Sequence, residues 1–217
     1  MRQKWKEFAF LRLEASGYFC EAIWELLHGL YQVPYRAYHS LDWHVMHMLE
    51  DFAAFKKEHP NFTTKWNEVE WAIWFHDIYH SPLSINNEYL SMQLAGDLVV
   101  VHTKLDYYTV SHGILATTHC LNPQRGAQHP GLHTPEEKLI CDLDLLGFVA
   151  PQDIFLRSQQ LMREEYRMFS DAAYEAERAR FMKALLKRGY VFLTDEFKPR
   201  EHEAVARIEG IISARFD

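Results

Sequence analysis

Hydrophobic residues recur at three- and four-residue steps through nearly the whole chain, a period that leaves little room for a sheet. FLRLEASGYFCEAIWELLHGLYQ (residues 10 to 32) places Leu13, Phe19, Cys20, Ile23, Leu26, Leu27 and Leu30 on that period, the pattern of an amphipathic helix. Pro34 and Tyr35 break it, and Ser40 or Asp42 is placed to cap a second helix ending near Pro60. A third helix fits 64 to 80, stopped at Ser81-Pro82 because the residue before a proline is pushed out of the helical region. Asn87 can cap a fourth helix through about His102, and further helices fit 106 to 120, 135 to 147, 151 to 168, 171 to 188 and 199 to 215. GYVFLTDEF (189 to 197) is the one β-like run, and it is short. Helical pattern flanks NPQRGAQHPGLHTP (122 to 135) on both sides, so that stretch reads as an insertion rather than a linker. The expectation is an all-α chain forming a single domain over 1–217.

Composition narrows the function. The net charge of -7 and the lack of any Lys/Arg run argue against binding a nucleic-acid polymer. Apolar stretches fall far short of the ~18 residues that span a bilayer, and MRQKWKEFAF lacks a signal-peptide core, so a cytoplasmic protein without a membrane partner is expected. Cys20, Cys120 and Cys141 are scattered, with no C-x-x-C pair, which points to buried small hydrophobes rather than disulfides or a thiolate zinc site. Thirteen histidines are an excess that asks for a use, and histidine is the commonest metal ligand.

That use is suggested by AIWFHDIYHSP (72 to 82), where His76, Asp77 and His80 follow a run of large apolar groups. Imidazole and carboxylate beside apolar bulk cost free energy unless paired, and a metal ion pairs with both. Helical neighbours lie about 100° apart, yet a long imidazole and a short carboxylate at a helix end can converge on one ion. The helix's C-terminal carbonyls also favour a cation. Further ligands are available from His39, His44 and His47, from His112 and His119, and from Asp142 and Asp144 in LICDLDLLGF. Imidazole plus carboxylate suits Mn, Fe, Zn, Co or Ni better than Ca or Mg.

The order PYRAYHSLDWH (34 to 44), WNEVEWAIWFHD (66 to 77), NEYLS (87 to 91), ILATTH (114 to 119), DLDLLG (142 to 147) and MREEY (162 to 166) resembles the HD superfamily of metal-dependent phosphohydrolases, in its predicted-phosphohydrolase branch. The doublet alone is a weak signal; the ordered set spans most of the chain. The resemblance implies an all-α HD-type bundle and a divalent ion (Mn, Fe, Co, Ni, Zn or Mg) held by His44, His76, Asp77 and Asp144. Four residues separate His39 from His44 where three are expected, so His39 remains the alternative to His44. Asp142 and Asp144 differ by about 200° on a helix, so one of them faces a given ion. Asp144 precedes the leucine as the ligand does in related HD proteins, and Asp142 is the alternative.

The implied chemistry is hydrolysis of a nucleotide or other small phosphorylated metabolite by a metal-activated water. Glu88 would take or orient the proton, His119 and Arg163 would hold phosphate oxygens, and His39 and Asn87 would complete the substrate site. Two other classes share the ligand frame. An HD-type di-iron oxygenase would hold a second iron with His80, His112 and His119. A non-catalytic binding module would keep the metal as a structural staple, although structural zinc usually closes its four positions with Cys and His.

Overall fold

The computed structural model describes residues 1–13, 16–119 and 134–213, and among them every regular element is helical. Ten α-helices follow in order: α1 (Arg2–Lys6), α2 (Gly17–Tyr31), α3 (Met46–Glu58), α4 (Trp66–Phe75), α5 (Asn87–His102), α6 (Tyr107–Ala116), α7 (Pro135–Leu145), α8 (Gln152–Glu165), α9 (Asp171–Lys187) and α10 (Glu201–Ser213). No described helix is long and apolar enough to cross a membrane. The expected insertion at 122 to 135 lies almost wholly outside the described residues, as does Cys120; Cys20 and Cys141 are buried.

The chain is organised around α4. Every residue from Val69 to Phe75 is buried, Glu70 among them as the partner of Arg12, so this helix is covered on all sides and belongs at the centre of a bundle rather than on its surface. Trp71 stacks on Phe75 with ring centroids 4.6 Å apart, and Trp5 packs edge-on against Trp74 and Phe75. Helix α6 packs against α4, α5 and α7. Two glycines permit that closeness: a Cβ on Gly96 would lie 2.5 Å from the Tyr107 ring, and one on Gly113 would lie 2.5 Å from Ile140 Cδ1.

Three local expectations change. The single helix over 10 to 32 is two segments, because α1 runs into a π-helical turn (Glu7–Arg12) and α2 starts afresh at Gly17. Ser16 caps that start by accepting from the Phe19 N–H at 3.2 Å, and the Trp5 indole donates to the Cys20 carbonyl at 2.8 Å, folding the first segment back onto α2. Asn87 is the first residue of α5 and caps nothing; its side chain brackets the backbone N–H and C=O of Ser81 at 3.1 and 3.0 Å. The β-like run 189 to 197 forms no strand. Its apolar residues Val191 and Phe192 are buried without a neighbouring strand, and carboxylates take the amides instead. Glu201 accepts from Val191 and Phe192, while Asp142 accepts from the N–H groups of Leu193 and Thr194 at 2.8 and 2.7 Å and from the Thr194 hydroxyl at 2.7 Å.

Asp142 is fully buried and anchors that segment. Asp142→Ala strands three donors and is expected to cost about 3 kcal/mol, read as a lower urea midpoint with an unchanged slope. Asp142→Asn, which keeps acceptor capacity, is expected to cost less.

Candidate metal centre

Four chain segments bring their ends together here. His44 sits in a π-helical turn (Leu41–Val45) that leads into α3, closed by the Val45 N–H donating to the Ser40 carbonyl at 3.2 Å. A π turn accommodates one more residue than an α turn, and such turns concentrate at functional sites. Helix α4 ends at Phe75, five residues earlier than its sequence pattern suggests, so His76 and Asp77 belong to the turn that follows. The Arg36 guanidinium makes that turn: it donates to the carbonyls of Asp77 and Ile78 at 2.6 and 2.9 Å and to that of His39 at 3.2 Å, lying over the Tyr31 ring. His76 keeps helical dihedrals and its N–H still donates to the Ala72 carbonyl at 2.8 Å, so the doublet stands at the helix's very end, where a long imidazole and a short carboxylate can point at one place. Asp144 comes from the last turn of α7, and His119 lies three residues beyond α6.

The resulting cluster has the spacing of a coordination shell. His44 Nε2 lies 3.2 Å from His76 Nε2 and 2.8 Å from Asp144 Oδ1, and His76 Nε2 lies 3.0 Å from Asp77 Oδ2. The longer diagonals, His44 to Asp77 and His76 to Asp144, are 3.7 and 3.8 Å. Nitrogen and oxygen ligands ~2.0–2.2 Å from a shared ion sit about 2.9–4.2 Å from one another, close to this range. His44, His76 and Asp144 each offer one ligand atom within 4.8 Å of the others. His76 Nδ1 donates to the Ile73 carbonyl at 3.0 Å, which leaves Nε2 as the nitrogen facing the cluster and fixes the ring, as the outer hydrogen bond of a metal-bound imidazole does. The donor set therefore fits a divalent ion, and these four residues could hold one.

Electrostatics explain why the group does not fly apart. Burial is the largest single influence on His76 and opposes its charge, but Asp77, Asp144 and the Ile73 carbonyl together outweigh it and push the imidazole up to about 9. Burial alone would raise the Asp77 carboxyl; His76 and His39 instead hold it well below the usual carboxylate range. Asp144 is held down in the same way against its burial, by His119 and His44. His44 goes the other way, because for it burial prevails and the neutral ring is favoured. Ionised carboxylate and neutral imidazole are the forms that bind metal, so Asp77, Asp144 and His44 are already in them, whereas His76 carries a proton that an incoming ion displaces.

Of the alternatives left by the sequence, Asp144 and not Asp142 joins the cluster, and His44 rather than His39. His119 Nε2 contacts the second oxygen of Asp144 at 2.8 Å, so it orients that carboxylate, while its buried Nδ1 has no hydrogen-bond partner. His119 has φ of 52°, a left-handed conformation that costs about 1–3 kcal/mol for a non-glycine residue and concentrates at functional sites. Its carbonyl is held by Arg188 at 3.2 Å.

A cavity of about 570 Å³ opens over the cluster, and Asp77, Asp144, His119, His39, Asn87 and Glu88 all line it. Asn87 lines it with both polar ends already engaged by Ser81, so its contact role is with the loop after the doublet. Arg163 does not line it. Its guanidinium is committed to Asp171 at 2.6 Å and to the carbonyls of Tyr166 and Phe169 at 3.0 Å, where it ties α8 to the start of α9. The arginines that do line the cavity are Arg178, bonded to Gln159 and Tyr174, and Arg180, 2.8 Å from Glu177. Both lie about two turns into α9. The set His80, His112 and His119 does not converge: His112 is half-exposed, 3.6 Å from Glu137, and His119 is on Asp144.

Sequence reasoning also missed Arg36 and Glu165. Both fall inside motifs that carry the resemblance, PYRAYH and MREEY, but their partners are far away in the chain. Glu165 is fully buried and accepts from the N–H groups of Ala37 and His39, both at 2.9 Å. It also meets the imidazoles of His39 and His80, forming a second histidine–carboxylate group beside the first. No protein family, curated protein or solved structure matches the chain at a significant level.

Proposed function

We propose that the chain is an HD-superfamily metal-dependent phosphohydrolase acting on a nucleotide or another small phosphorylated metabolite. The observation that carries this reading is the convergence of His44, His76, Asp77 and Asp144, in chain order H…HD…D, at the wall of a cavity large enough for such a molecule. A divalent ion in that set supplies, when bound, a water of lowered pKa and neutralisation of charge at phosphorus. The chain's own residues do the rest. Glu88, on the cavity wall in the first turn of α5, takes or orients the proton of the attacking water. His119 lines the cavity and fixes Asp144 through Nε2; holding a phosphate oxygen with Nδ1 as well would take the protonated ring, whose two nitrogens both donate. His39 borders the substrate, and the arginine role assigned in sequence to Arg163 passes to Arg178 and Arg180. Tyr166, Tyr174 and Phe181 supply aromatic wall on which a base or another flat group can lie. An open cavity beside the ligands weighs against a purely structural metal, which is usually closed off by its ligands.

The test is metal analysis of protein purified without a histidine tag, followed by a screen of phosphate monoesters, nucleotides and dinucleotides with Mn, Co and Mg. Glu88→Gln is expected to keep its metal and lose about 10²-fold or more in kcat. Full activity in that variant would reduce Glu88 to a helix-end charge, and metal-loaded protein inert toward every ester would remove the hydrolase reading.

A further inference from the structure

We propose that His39, His80 and Glu165 form a second site for a divalent first-row transition ion, beside the first and open to the same cavity. The three residues come from the PYRAYH segment, the turn after the doublet and the end of α8, and each offers one ligand atom within 4.8 Å of the others. Glu165 is an unusual carboxylate, with none of its surface exposed. Its Oε2 accepts the two backbone amides of Ala37 and His39, which fixes the direction of Oε1. That oxygen faces His39 Nδ1 on one side and His80 Nε2, 2.8 Å away, on the other.

An ordinary hydrogen-bonded triad would give each imidazole an aligned N–H toward the carboxylate. His80 departs from that: it is 9 % exposed, and its buried Nε2 has no hydrogen-bond partner despite lying so close to Oε1. A buried imidazole nitrogen left without one costs about 1–3 kcal/mol unless something else meets it. The His39 and His80 rings are stacked, with centroids 3.9 Å apart and planes 25° apart, so two imidazolium charges there would repel. The stacked rings aim their in-plane lone pairs side by side, so a cation takes both, with the carboxylate oxygen, once one ring turns out of the stack, and it then satisfies all three groups together. Two imidazoles and one carboxylate leave coordination positions open, the donor set of Fe(II), Zn or Mn in reactive sites. His39 and His80 both line the cavity that Asp77 and Asp144 line, and the His39 ring lies 5.7 Å from that of His44. A ligand in the cavity therefore meets both groups.

Chelator-stripped, untagged full-length protein equilibrated with Mn(II) or Zn(II), desalted and analysed for metal, tests this separately from any reaction. The wild type is expected to hold two equivalents. His80→Phe, which keeps a ring against His39 and removes the nitrogen, is expected to hold one, as is Asp144→Asn at the other site. Far-ultraviolet circular dichroism checks that each variant is folded, and His39→Gln carries the same expectation should His80→Phe not fold. A wild type that saturates at one equivalent, unchanged in His80→Phe and lost in Asp144→Asn, overturns the second site and leaves the proposed phosphohydrolase standing. A single equivalent lost in His80→Phe and kept in Asp144→Asn supports the second site and removes the first. A wild type that takes up no metal overturns both.

Discussion

Asp77→Ala is expected to lose the metal held with His44, His76 and Asp144 and any phosphohydrolase activity together. The carboxylate faces His76 at 3.0 Å and the His44 ring at 3.7 Å, and no other acid in the described cluster can take its place, because Asp144 is already shared between His44 and His119. Without it two imidazole nitrogens 3.2 Å apart keep a single carboxylate between them. Loss of one of four ligands opens the shell and removes half of its negative charge, so metal content at micromolar free ion should fall to that of Asp144→Asn, with turnover at the level of a metal-free control. The fold should survive, since Asp77 contributes no side-chain bond to the helical core. Metal analysis and a thermal scan on the same preparation separate the two effects. Metal content equal to that of the wild type, or turnover that persists without the lost ion, would contradict the site.

Arg36→Met is expected to have the second largest effect, and a different one. Arg36 touches no ligand atom, but it gathers the carbonyls of His39, Asp77 and Ile78 and so sets the turn on which the doublet stands. Removing the guanidinium leaves three partly buried acceptors without their donor, at a cost of about 3 kcal/mol or more. Residues that orient ligands in this way typically change metal affinity by about 10–100-fold when removed. The variant should therefore melt earlier and bind metal more weakly, yet return to full occupancy at high metal concentration. Arg36→Lys keeps the charge but cannot reach three carbonyls with one fork, so it should fall between the two. An Arg36→Met protein with unchanged affinity would show that the turn is held by Tyr35, whose hydroxyl donates to the His80 carbonyl at 2.8 Å, and not by the guanidinium.

The helical period reports each residue's environment within one element, and that is why the all-α class is legible in FLRLEASGYFCEAIWELLHGLYQ or WNEVEWAIWFHD without any structure. It fails where a local pattern has two solutions. GYVFLTDEF reads like a strand, but among the described residues there is no partner strand to pair with, and Asp142 and Glu201 supply the acceptors that a sheet would have supplied. Asn87 looks like a cap because caps are asparagine-rich; a nearer acceptor and donor on Ser81 take its side chain first.

The chain by itself determined the helices, the apolar centre at Trp71, Trp74 and Phe75, and the residue types from which a metal site could be made. Only the tertiary structure decided how thirteen histidines are divided. It sent His44 and His76 to one carboxylate pair and His39 and His80 to Glu165, chose Asp144 over Asp142, and turned Arg163 to a helix corner while Arg178 reached the cavity. The reason is range. Periodicity is set by neighbours three and four positions apart, whereas each of these choices depends on a partner from another segment, up to 126 positions away for His39 and Glu165, whose direction is fixed only when the helices pack.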